Sequence, residues 1–341
     1  MNKIRVGIIG CSEIGRAHAG AVAVCDASEI VAAADHDVSM ANALAADHSG
    51  VKAYASHEDL LAHDGLDAVV ICVPTCVHRD VAVDALEAGK HVLLEKPPAR
   101  NVAELQEVTD AARQAERTLM VCYQRRHDPV HREAREMIRN GVLGKPYYGR
   151  VRWFAFHSYP LRQEHCWRWS TRGGAMASLG SHLIDLQLWL MDYPRWEQVT
   201  AWAHRDIAAK TVDVGDDAGD DLMVALIRLE NGVVIKAEAA RRIHGSMGSS
   251  CELYGEYASY LEQGRIVRRP SREERVEEPV GDGAPTKERQ TRAQMTRFIE
   301  AVRGNAEPDM GIDEALEMQS LLDAIYESAE SGDTVSRGDQ V

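Results

Sequence analysis

Unbroken apolar runs alternating with helix-like segments constrain this chain more than any single residue does. IRVGIIG (4–10), EIVAAAD (29–35), DAVVICVP (67–74), HVLLEKP (91–97) and LMVCY (119–123) are separated by stretches with helical spacing at 13–25, 39–47, 78–88 and 103–115. A strand with one wet face alternates apolar and polar residues. Runs that are apolar throughout belong to strands covered on both faces, the mark of a parallel sheet between helix layers. Residues 1–124 are therefore expected to form a doubly wound α/β domain.

Beyond Tyr123 the pattern changes. A helix at about 130–140 leads into longer strand-like runs at 147–157, 199–205, 222–229, 233–240 and 251–262. Glu230-Asn231-Gly232 between two of them is a hairpin signal. Helices are expected at 176–191, 286–303 and 312–330, which makes residues 125–341 an α+β domain on a large, mostly antiparallel sheet. The stretch 265–278 mixes both charge signs and reads as a solvated strand edge or loop.

With 341 residues the chain has room for two such cores. A net charge of −14 opposes attraction to nucleic acid or anionic lipid, so small-molecule chemistry is expected. Seven cysteines, an odd number with no C-x-x-C pair, argue for reduced and mostly buried thiols and against a disulfide framework or a metal site. No apolar run reaches 18 residues and the start lacks a signal-peptide pattern, so a cytoplasmic location is expected and no membrane.

Gly10-Cys11-Ser12-Glu13-Ile14-Gly15 follows the first strand and opens the first helix, where a G-x-G-x-x-G loop sets pyrophosphate on a helix N-terminus. Ser12 replaces the middle glycine, and its hydroxyl can itself bond a phosphate oxygen. The second strand ends in Asp35, twenty residues after Gly15, where a carboxylate accepts both ribose hydroxyls of an adenosine. The same carboxylate repels a 2′-phosphate and no Arg follows it. NAD is favoured over NADP.

Glu95, Lys96 and Pro97 leave the strand HVLLEKP at the carboxyl edge of the sheet, where ligands of such folds bind. A Lys-Pro bond there is extended or cis. In GGAMASLGSHLIDLQLWL (173–190) an α-helix would put Ser178, His182 and Asp185 on one face.

These segments resemble the Gfo/Idh/MocA family of sugar and cyclitol oxidoreductases. The likeness rests on VGIIGCSEIG, Asp35, the run 73–99 with its Glu-Lys-Pro, the stretch Tyr123 to Pro129, Gly141 with Gly144, Trp167-Arg168, and GG…LGSHLIDL. It implies a Rossmann domain, then an α/β domain whose open sheet forms dimers or tetramers. It implies Lys96 and His182 as catalytic residues, Arg126, His157 and Asp185 as sugar contacts, and Pro74, Thr75, His78 and Glu95 as cofactor-lining residues. Ser178, expected at the substrate, stands where the family usually has an aspartate.

The implied reaction is oxidation of a secondary alcohol of a sugar or cyclitol, or its reverse. The hydroxyl proton needs a base near the working pH, and a lysine beside a cationic nicotinamide has its ammonium form disfavoured. Two rivals stay open: an enzyme that retains NAD and hydrolyses or epimerises a glycoside through a keto intermediate, and a sugar sensor without turnover.

Overall fold

The computed structural model describes residues 2–156, 174–207, 219–281 and 285–340. The chain divides into two compact units, Met1–His127 with Thr286–Gln319, and Asp128–Pro285 with Ser320–Val341. The expectation of one uninterrupted second domain from residue 125 is thereby corrected. The reason is apolar burial. Met295, Phe298 and Ile299, on one face of the helix Lys287–Val302, bury completely in a cluster with Ala19 and Val22 of the first helix, Glu13–Ala23.

In the first unit six parallel strands run in the order β3-β2-β1-β4-β5-β6. They are β1 (Ile4–Ile9), β2 (Ser28–Ala34), β3 (Lys52–Tyr54), β4 (Ala68–Ile71), β5 (His91–Leu94) and β6 (Leu119–Val121). The chain winds outward from β1 to β3, then returns to β4 on the other side. The carboxyl end of β1 is thus the switch point at which such sheets bind ligands. β3 was not anticipated: its three residues, Lys-Ala-Tyr, make no apolar run. β4 and β5 stop at Ile71 and Leu94, earlier than expected, and leave Cys72 to Pro74 and Glu95 to Pro97 as loop residues on that edge.

The second unit is built on a sheet ordered β14-β13-β12-β11-β7-β10-β9-β8-β15. Its strands are β7 (Pro146–Phe154), β8 (Trp196–His204), β9 (Leu222–Leu229), β10 (Val234–Ala240), β11 (Gly248–Gly255), β12 (Ser259–Leu261), β13 (Arg265–Arg268), β14 (Val276–Pro279) and β15 (Val335–Ser336). Neighbours are antiparallel except β7 and β10. The single run expected at 251–262 is two strands, β11 and β12, and the charged stretch 265–278 supplies β13 and most of the edge strand β14. All ten residues of the helix Ser181–Leu190 are buried, and it packs on β7 and β11. Gly149 of β7 makes this possible, since a Cβ there would stand 2.8 Å from the Gln187 side chain. No helix among the described residues is long and apolar enough to cross a membrane.

Candidate active site

The loop after β1 is shaped by backbone contact. Gly10 has φ +92°, and a Cβ on it would fall 2.7 Å from the Cys72 carbonyl group. A Cβ on Gly15 would fall 1.9 Å from the Gly10 carbonyl oxygen. Both positions exclude any side chain. Ser12 has φ −67°, an ordinary value, so a serine costs no strain there. It is exposed, as is Glu13, while Ile14 is half-buried. Ser12 forms the helix N-cap without a side-chain bond to the first turn, which leaves the leading amides for an anionic group.

Asp35 is tied into this loop. One carboxylate oxygen accepts the Cys11 N–H at 2.7 Å and the other accepts the Asp37 N–H at 3.0 Å. A carboxylate offers about four lone-pair sites, so the ribose hydroxyls still find acceptors. The close-packed glycines at 10 and 15, the uncapped first turn and the Asp35 carboxylate fit a dinucleotide. Burial beside Asp35 pushes the Cys11 thiol up to about 12, so it stays protonated and inert.

At the ends of β4 and β5 the expected cofactor-lining residues divide. Pro74 and Thr75 are half-buried and begin the one-turn helix Thr75–Val77. His78 is 1% exposed, and its ring nitrogens lie 2.8 Å from the Pro97 carbonyl oxygen and 2.9 Å from that of Val73. It sits between two loops, and a neutral ring donates to one of the two carbonyls. Burial pushes its imidazole toward the neutral form. The Glu95 carboxylate lies against His18 and the Lys96 amide. Lys96 is half-buried and precedes Pro97 through a cis peptide bond. The donor atoms of His18, Glu95 and Cys122 lie within 4.8 Å of one another. Sequence reasoning passed over His18 and Cys122; the available signal was one histidine three residues beyond Gly15 in an Ala-rich helix.

In the second unit the segment with Ser178 and His182 begins as a π-helical turn, Met176–Gly180, before the α-helix Ser181–Leu190. α-Helical spacing therefore holds only from Ser181 onward, for His182 and Asp185 and not for Ser178. The turn is forced by close packing: a Cβ on Gly180 would stand 2.4 Å from the Met176 sulfur and 3.2 Å from Ala239 of β10. Ser178 donates to the Gly174 carbonyl at 2.7 Å and accepts from the guanidinium of Arg241, a residue the sequence did not single out. The Ser178 hydroxyl is thus set against a buried cation.

His182 is 6% exposed, with Trp153 at 5.7 Å between ring centres. Asp185 is fully buried and accepts the Tyr193 hydroxyl at 3.2 Å. Arg126, expected at the substrate, has a wholly buried guanidinium in the first unit. It bonds the Asp309 carbonyl at 2.6 Å, the Glu314 carboxylate and the Met310 sulfur at 3.0 Å. His157, Trp167 and Arg168 lie outside the described residues.

Comparison with known proteins agrees with this layout. Residues 4–123 match the NAD-binding Rossmann-fold model of the Gfo/Idh/MocA oxidoreductase family, and residues 135–336 match its C-terminal alpha/beta domain. The chain belongs to that family. It is 26% identical to D-glucoside 3-dehydrogenase of Escherichia coli K12, over 97% of each chain. It is 28% identical to inositol 2-dehydrogenase of Acidothermus cellulolyticus, over 80% of this chain and 77% of the relative. A levoglucosan dehydrogenase solved with NADH and L-sorbose shares the fold at TM-score 0.87 and 22% identity, over 98% of this chain and 99% of the other.

Proposed function

We propose that this chain oxidises a secondary hydroxyl of a cyclic polyol, a sugar or a cyclitol, with NAD, or reduces the matching ketone. The observation that carries the reading is that one sheet edge presents both Asp35, after β2, and Lys96, after β5. When bound, the nicotinamide supplies the hydride acceptor or donor. Lys96, half-buried at the end of β5, takes the hydroxyl proton. The family's glucoside and inositol dehydrogenase relatives support a polyol substrate. Trp202 and Leu226, apolar yet 56% and 43% exposed on the open sheet face, support a homo-oligomer formed through that face.

Lys96→Met tests the reading. Turnover should fall at least about 100-fold while the NADH dissociation constant moves less than about threefold, since a general base is lost and cofactor binding is not. Near-normal turnover would remove Lys96 from the chemistry.

A further inference from the structure

The two oxygens of Glu95, immediately before Lys96, do different work. Oε1 lies 2.8 Å from Nε2 of His18 on the helix Glu13–Ala23, and Oε2 accepts the main-chain N–H of Lys96 at 3.1 Å. The His18 side chain is 4% exposed and that of Glu95 18%. A carboxylate oxygen at that distance needs a donor, so Nε2 carries the ring proton. Nδ1 is buried with no hydrogen-bond partner among the described residues. A buried carboxylate is costly unless it is paired, and this one is paired toward Lys96.

We propose that His18 is a positioning residue for Lys96 and acts through Glu95. The imidazole holds the carboxylate, and the carboxylate holds the residue-96 amide and keeps a negative charge beside the ammonium. This deepens the reading of Lys96 as proton acceptor and rests on it.

Other titratable groups face Glu95 from each neighbouring element. Cys72 follows β4 and Cys122 follows β6, the latter with its sulfur 4.0 Å from His18 Nε2. Burial, reinforced by Glu95, pushes both thiols up, so they stay neutral at working pH. His78, pushed down by burial, is neutral too. Burial alone would raise the Glu95 carboxyl, but His18 and Lys96 outweigh it and hold the group below the usual carboxylate range. Removing the His18 donor withdraws a bond that only the ionised carboxylate accepts, so Glu95 must then titrate higher.

The test reads the Lys96 amide directly and needs no substrate. The full chain is labelled with [15N]lysine, the Lys96 signal is assigned with Lys96→Arg, and its shift is followed from pH 4 to 9. In His18→Met the signal should gain an inflection at higher pH than any in wild type. His18→Gln, whose side-chain amide replaces the Nε2 donor, should restore the wild-type curve. Wild-type behaviour in His18→Met would overturn the proposal, as would equal disturbance in His18→Gln. Should His18→Met fail to fold, Glu95→Gln decides through [13Cε]lysine. The Lys96 side-chain signal should respond to loss of the carboxylate that His18 holds beside it, and an unchanged signal overturns the proposal. Because these readouts are independent of turnover, an active Lys96→Met would sink the general-base reading while leaving the NMR result to stand or fall alone.

Discussion

Replacing Asp35 with asparagine separates two tasks that its carboxylate performs at once. In the free protein its two oxygens accept the Cys11 and Asp37 amides at 2.7 and 3.0 Å. Asparagine has one acceptor oxygen, so its NH2 group must meet one of those N–H donors. Losing one charge-assisted bond costs about 1.5–3 kcal/mol. For a unit of this size that lowers the melting temperature by about 3–10 °C. Toward NADH the lost ribose bonds should raise the dissociation constant about 10- to 100-fold. NADPH should gain relative to NADH, since the charge that repels a 2′-phosphate is gone. Fluorescence titration with NADH and NADPH, beside thermal unfolding of the free protein, measures all three. An NADH constant unchanged within twofold, despite a lowered melting temperature, would reduce Asp35 to a loop brace. A wild-type preference for NADPH would refute the ribose assignment outright.

Two glycines of the first helix should respond in opposite directions. Gly15→Ala drives a Cβ into the Gly10 carbonyl, backbone that cannot step aside, and should abolish NADH binding with a loss of about 3 kcal/mol or more. Gly20, with nothing within 4 Å of a built Cβ, should stabilise by about 0.5–1 kcal/mol as alanine, both effects being read by urea unfolding. Asp220 accepts the Met176 amide at 2.8 Å and the Tyr326 hydroxyl at 2.7 Å, yet burial pushes its carboxyl up. A raised folded-state pKa means stability is full at low pH and is lost as pH rises through that value. Asp220→Asn should therefore unfold with a flatter pH dependence and gain on wild type as pH increases. A stability difference that is constant from pH 4 to 8 would contradict this.

The sheet of the first unit was legible because apolar runs covered on both faces leave a plain signature in sequence. Strand ends were overshot where chemistry begins: Pro74 and the Glu95 to Pro97 run continue the pattern but leave the ladder. The amphipathic face of Lys287–Val302 was visible, but the core it would join was not, since a hydrophobic stripe names no partner. Asp35 and Lys96 were readable because each follows a strand. His18 and Arg241 were not, because their contacts to Glu95 and Ser178 span 77 and 63 residues. The expected alignment of Ser178 with His182 failed for a packing reason, the π-turn set by Gly180 against Ala239.

The most direct measurement is transfer of a carbon-bound deuterium. NAD+ is incubated with the protein and perdeuterated cyclitols, aldoses and alkyl glucosides, and recovered NADH is analysed by mass spectrometry and proton NMR. The expected result is NADH with one deuterium at C4 of the nicotinamide, matched by an equal amount of keto product, and at least about 100-fold less of both with Lys96→Met. Tight NADH binding with no deuterium transferred from any of these polyols would contradict the proposed dehydrogenase.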